Sequence, residues 1–174
     1  MALVGCGSTS DAAAGPTVAR TPTLVSTPTS TPPTTTPPPT PAGPVLHKLG
    51  TTVATPDGHV DVTVYAFRQP VAAGAPRPDQ RGYTWAGIDV KVCSHIEAIV
   101  NMLPWSLVYA DDTRAESSSV GYRQFPLPSY AWGDTPLHVG RCLRGWIVFP
   151  VPAKTRPVMV EYQPEGTDAT DWKV

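Results

Sequence analysis

Proline constrains this chain more than any other residue, because each one fixes φ near −65° and removes a backbone hydrogen-bond donor. The chain has 22 prolines in 174 residues, more than twice the usual ~5%, and they are unevenly spread. Residues 7–45 hold ten prolines, eleven threonines and four serines, with Asp11 and Arg20 the only charges. Such a segment cannot bury enough apolar surface to offset the entropy of ordering it, so 7–45 reads as a disordered Thr/Pro/Ser-rich stalk. In a polyproline II conformation, at ~3.1 Å per residue, it would reach roughly 120 Å. Its Thr/Pro density suits O-glycosylation of a secreted stalk. A polyproline ligand for a partner domain is the weaker reading, since no basic residue flanks the prolines.

Ahead of the stalk, Leu3-Val4-Gly5-Cys6 resembles a bacterial lipobox, in which the cysteine thiol carries a diacylglycerol after cleavage. A membrane partner through lipid on Cys6 follows, with residues 1–6 as the remnant of a lipoprotein signal. A signal peptide also needs a basic region and an apolar stretch of ~7–15 residues, and only five residues precede Cys6. Either translation starts upstream of Met1 or the motif is accidental; the lipoprotein reading is favoured. No apolar run approaches the ~18 residues of a membrane-spanning helix. The formal net charge of −1 argues against a nucleic-acid partner. Nine arginines against four lysines, and Asn101 as the lone asparagine, suggest a GC-rich genome.

From Leu46 the period changes to two. Thr51–Thr55 meets the turn Pro56-Asp57-Gly58, after which Val60, Val62 and Val64 alternate with polar residues, the pattern of a β-hairpin. Ile88, Val90 and Val92 share one face of the next strand, with Asp89, Lys91 and Cys93 on the other. Trp105–Tyr109 forms another, ended by Asp111-Asp112. Leu143, Ile147, Phe149 and Val151 share a face until Pro152 stops the ladder, and Val158, Val160 and Tyr162 form a last strand. Short strands separated by turn clusters predict an all-β antiparallel sandwich over residues 46–163. Ser94 to Leu103 is the only helix candidate. Residues 164–174 read as a polar, loose tail apart from Trp172.

Cys93 and Cys142 fall one on each of two strong strands, both on the outward parity. In an exported protein the pair predicts a disulfide, and closing a loop of about 50 residues is worth roughly 4 kcal/mol in the chain-entropy model. The alternative is a metal: Cys93, His95, His138 and Cys142 supply two thiols and two imidazoles, although neither pair has the usual Cys-x₂₋₄-Cys spacing.

The segment Gly140-Arg141-Cys142-Leu143-Arg144-Gly145-Trp146-Ile147-Val148-Phe149-Pro150-Val151-Pro152, preceded by Ile88-Asp89-Val90-Lys91-Val92-Cys93, resembles a family of secreted and lipid-anchored actinobacterial proteins. That family is typified by the mycobacterial immunoprotective extracellular protein. The resemblance implies an immunoglobulin-like β-sandwich at the cell envelope and no agreed activity. Gly145 would permit close approach of the facing sheet. Trp85 precedes Cys93, so the buried tryptophan that antibody domains pack on their disulfide is not implied.

No Gly-x-Ser-x-Gly elbow, P-loop, Gly-x-Gly-x-x-Gly or His-Glu-x-x-His motif is present. His47, His59, His95 and His138 are scattered, and no nucleophile–base pair can be nominated; the chain reads as non-enzymatic and without a cofactor. Asp111, Asp112 and Glu116 offer oxygen ligands to Ca²⁺ but lack EF-hand order. Tyr122, Arg123, Phe125, Tyr130 and Trp132 lie among Pro126, Pro128, Gly133 and Pro136. Rings on a stiffened loop either make a low-entropy contact surface for a protein or glycan ligand or cap one end of the sandwich. The sequence thus predicts a lipid-anchored extracytoplasmic protein with a non-catalytic binding or assembly role. A small envelope metal-binding protein is the runner-up.

Overall fold

The computed structural model describes residues 45–174; Cys6 and nearly all of the residues expected to form a stalk lie outside them. The described residues form an all-β, immunoglobulin-like sandwich. One sheet has the order β1-β11-β10-β6-β7, the other β2-β3-β4-β9, and β5-β8 make a small third sheet. The strands are β1 (Leu46–Lys48), β2 (Thr52–Ala54), β3 (Val60–Arg68), β4 (Tyr83–Ser94), β5 (Ala98–Val100), β6 (Trp105–Val108), β7 (Arg114–Glu116), β8 (Thr135–Leu137), β9 (Cys142–Pro152), β10 (Met159–Tyr162) and β11 (Thr170–Lys173). All ladders are antiparallel except β1 with β11.

Alternation builds the core. Val60, Val62 and Val64 of β3, Ala86 to Val92 of β4 at every second residue, and Ile147, Phe149 and Val151 of β9 form one apolar layer. Trp105, Leu107, Val160, Tyr162 and Trp172 form the facing layer. Trp105 is its centre, with ring centroids 4.6 Å from Tyr162 and 6.4 Å from Trp172. The hairpin between β2 and β3 turns at Gly58, whose φ of 69° is open to glycine at no steric cost. Its Asp57 accepts from the Thr55 hydroxyl at 2.6 Å and the His59 N–H at 3.0 Å.

Two expectations are corrected. Ser94–Leu103 is not helical: Ser94 Oγ donates to the Ile96 carbonyl at 2.7 Å, closing a turn, and Ala98–Val100 then pairs with β8. A β-branched trio, Ile96, Ile99 and Val100, favours that choice. The C-terminal segment is not a loose tail, because Thr170–Lys173 fills the slot between β1 and β10, with Trp172 fully buried. The tryptophan seats the strand, and its indole N–H donates to the Thr51 carbonyl at 3.2 Å.

Candidate functional site

The two sheets have edges that approach and then separate, and the separation makes a cleft of about 1020 Å³. Its cause is legible in the hydrogen-bond phase. In an antiparallel ladder successive residues alternately face the partner strand and the free edge. On β9 the outward residues are Trp146, which accepts from Tyr130 N–H at 3.0 Å, and Val148, which accepts from Ser118 N–H at 2.7 Å. The next two in that phase are Pro150 and Pro152, which have no N–H. On β7, Tyr109 N–H donates to the Thr113 carbonyl at 2.9 Å, so Ala115 faces Leu107 while Arg114 and Glu116 turn their backbone groups outward. Beyond Ser118 and Val148, therefore, β9 offers β7 carbonyls but no N–H, and the gap opens between Arg114–Glu116 and Pro150–Pro152.

Aromatic and hydroxyl groups line this cleft. Tyr83, Trp85 and Tyr109 are among its lining residues, as are Ser117, Ser118 and Ser119; the Ser117 hydroxyl donates to the Met102 carbonyl at 3.3 Å and the Ser118 hydroxyl to the Val120 carbonyl at 2.9 Å. Trp85 is fixed by its indole N–H, 2.6 Å from the Pro76 carbonyl. Tyr109 is only 7% exposed, and its hydroxyl has no hydrogen-bond partner. Burial, with a smaller contribution from Tyr83, pushes its phenol above the ordinary value, so it stays a neutral donor and acceptor.

Arg114, Asp111 and Arg156, three of the lining charges, are already engaged. Arg114 grips Glu161 with two contacts of 2.8 Å, and this hydrogen bonding holds the Glu161 carboxyl below its ordinary range. Asp111 is held low by the Thr113 hydroxyl at 2.7 Å and the Thr113 N–H at 3.2 Å, the opposite of the raised value a general acid requires. Arg156 stands over the Phe67 ring at 5.6 Å.

The five residues singled out on the aromatic loop are dispersed. Tyr130 belongs to the main core, edge-on to Trp105 at 6.3 Å, and burial raises its phenol pKa strongly. Phe125 is buried against Trp85 at 5.0 Å and Tyr122 at 5.3 Å, forming with Val148 a second small core on the outer face of the four-stranded sheet. Tyr122 is half-buried there. Only Arg123 and Trp132 are exposed, and Trp132 lies over Gly121, where a Cβ would meet its ring at 2.7 Å. The buried rings hold the sheet and its covering loop together, so they present no contact surface to solvent.

Cys93 and Cys142 face each other directly across β4 and β9 and are joined as a disulfide. It ties neighbouring strands on the outer face and does not bridge the sheets as an antibody disulfide does. The core tryptophans, Trp105 and Trp172, belong to the other sheet. With both thiols in the bond, the proposed Cys93/His95/His138/Cys142 set is dissolved. His95 Nε2 lies 3.0 Å from Asp61 and His138 Nδ1 2.8 Å from Glu97. Among the described residues no group of three or more such ligands is placed to hold a metal ion, which also covers Asp111, Asp112 and Glu116. None of the described residues forms a helix long and apolar enough to cross a membrane.

These features define the class: an exposed-edge immunoglobulin-like sandwich with one wide cleft beside its unpaired edges. The secreted protein MPT63 of Mycobacterium tuberculosis has the same fold, at 16% identity over 76% of this chain and 99% of its own, with a TM-score of 0.54. The yjhA protein of Bacillus subtilis is similar at 14% identity over 74% of this chain and 99% of its own, TM-score 0.52. So is the candidate lipoprotein ycdA of Bacillus subtilis at 12% identity, TM-score 0.52, over 71% of this chain and 38% of its own. No protein-family model and no curated protein matches the chain in sequence.

Sequence reasoning missed the cleft. Its strands carry no catalytic motif, and β7 is a three-residue strand without alternation of large apolar groups. The one signal was Pro150-Val151-Pro152, two prolines at alternate positions of an otherwise apolar strand.

Proposed function

We propose that this chain is an exported, non-catalytic recognition protein, held to the outer face of the cell membrane by lipid on Cys6, with the cleft beside β7 as its contact surface. It would belong to the actinobacterial family of secreted and lipid-anchored sandwiches that its β4 and β9 segments resemble. The cleft carries this reading: it is wide, Tyr83, Trp85 and Tyr109 are among its lining residues, and no histidine is. The Ser94 end of β4, where His59 and His95 hydrogen-bond through their backbones, lies eleven residues from Tyr83, roughly 35 Å along the strand. The Cys93–Cys142 bond fits an oxidising compartment, and the similar MPT63 is itself described as secreted.

Two measurements test the reading. Intact mass of the protein from the membrane fraction of its native host should show a species beginning at Cys6, heavier by a diacylglycerol and lighter by the two hydrogens of the disulfide. An unmodified chain with free thiols in the cytoplasm would overturn the localisation. Thermal melting against a panel of polysaccharide fragments and synthetic peptides should give an upward shift that Tyr83→Ala abolishes. No shift with any compound would overturn the cleft as a binding site.

A further inference from the structure

We infer that the cleft takes an extended peptide segment of a partner protein, which adds as a strand to the free edge of β7; the inference rests on the cleft being the contact surface. The argument starts from backbone groups. Arg114 and Glu116 each turn an N–H and a C=O away from β6, and no other described strand pairs with that side of β7. Such an edge is a template for main-chain pairing. Natural edges are usually blunted, and here the opposite wall is: β9 presents Pro150 and Pro152 in its outward phase, and the Pro152 carbonyl accepts from Gln69 Nε2 at 3.0 Å. The β9 wall of the cleft therefore offers no backbone N–H, whereas the β7 wall offers both N–H and C=O groups.

A strand laid along β7 would alternate its side chains. One set would face into the cleft, among whose lining residues are Tyr83, Trp85 and Tyr109. The other set would face solvent past the rim. A glycan offers no regular series of amide donors and acceptors, so it would leave the four edge groups of Arg114 and Glu116 unmatched. The edge selects a peptide. Ser118, in the same phase as Arg114 and Glu116, already makes the equivalent bond to Val148 and marks where the added strand must end.

The test uses the oxidised chain and a phage-displayed library of random dodecapeptides, with the best-enriched sequence made synthetically. Its affinity is measured by fluorescence anisotropy, then again with single N-methyl groups walked along it. Strand addition predicts that N-methylation abolishes binding at alternate residues only. Glu116→Pro, which removes an outward N–H and leaves the Leu107–Ala115 pair intact, should weaken the peptide about tenfold. Glu116→Ala, which keeps the N–H, should not. The backbone amides of Arg114 and Glu116 should exchange quickly in the free protein and slowly with the peptide bound. Failure to enrich any peptide, uniform tolerance of N-methylation, or equal losses in Glu116→Pro and Glu116→Ala would overturn the inference. Should Glu116→Pro unfold, the N-methyl series and amide exchange decide alone. If peptides fail but a polysaccharide fragment still gives a Tyr83-dependent melting shift, only the peptide occupant falls. If neither class gives a shift, the cleft falls with it.

Discussion

Replacing Gly145 by alanine should be among the most destabilising single-methyl changes this domain can suffer. An ideal Cβ at 145 would lie 2.5 Å from the Tyr130 nitrogen and 2.6 and 2.7 Å from the Ser129 carbonyl carbon and oxygen. All three are backbone atoms, so no rotamer change relieves the clash. The 128–130 segment must retreat, and with it go two hydrogen bonds to Trp146, at 2.8 Å from Pro128 and 3.0 Å from Tyr130. At about 1 kcal/mol each these contribute ~2 kcal/mol. Tyr130 is 3% exposed and packed on Trp105, and dislodging it adds an overpacking cost of ~1–3 kcal/mol. The sum is ~3–5 kcal/mol, to be read from urea denaturation monitored by tryptophan fluorescence. Gly133→Ala is the control, since its Cβ would meet nothing within 4 Å, and it should change stability by less than ~0.5 kcal/mol. A loss below ~1 kcal/mol in Gly145→Ala would refute the reasoning, because the 128–130 segment would then be free to move without consequence.

Cys93→Ser and Cys142→Ser should each cost about 4 kcal/mol by the loop-entropy relation, and the double variant no more than either alone; doubled losses in urea titrations would contradict a shared bond. Tyr130→Ala should cost ~3–5 kcal/mol as a buried aromatic, whereas Trp132→Ala, at a residue 45% exposed, should cost under ~1 kcal/mol; comparable falls in Tm would refute the division of the loop. Asp171 is buried beside Glu161, and desolvation first, then that neighbour's charge, raises its carboxyl above its ordinary 3.8. A raised carboxyl favours the protonated form in the folded state, so stability is fully present below 3.8 and lost as pH rises through the folded value. Asp171→Asn should therefore stabilise the protein at neutral pH, with the gain vanishing toward pH 3; a pH-independent difference in urea midpoint would refute it. Glu161 runs the other way. Its carboxyl is lowered by Arg114, so its contribution is present above 4.5 and lost on acidification.

The strands that alternate over five or more residues were legible because burial of one face dictates period two. β3, β4 and β9 fall where Val60–Val64, Ile88–Val92 and Ile147–Val151 place them. Of the three-residue strands only β2, the first arm of the hairpin, was legible. β1, β5, β7 and β8 are too short to carry a period; β1 and β7 form on the edges of β11 and β6, and β5 and β8 pair with each other. The aromatic loop stayed open between two readings for a related reason. Sequence marks Phe125 and Tyr130 as rings on a Pro/Gly-rich segment but cannot say whether such rings face water or a sheet. The structure turns both inward, because Gly145 lets the 128–130 backbone lie against β9 and Trp85 with Val148 leaves an apolar outer face to be covered.

Sequence alone determined the sandwich class and the outward parity of Cys93 and Cys142; its reading of residues 7–45 as a stalk falls almost entirely outside the described residues. Tertiary structure alone decided the pairing of those cysteines across one sheet, the capture of Trp172 as part of β11, and the opening of the cleft. Each of these depends on which strands become neighbours. A proline in the sequence removes a donor at one position, but only the fold shows that the missing N–H groups of Pro150 and Pro152 face the edge of β7 across the cleft.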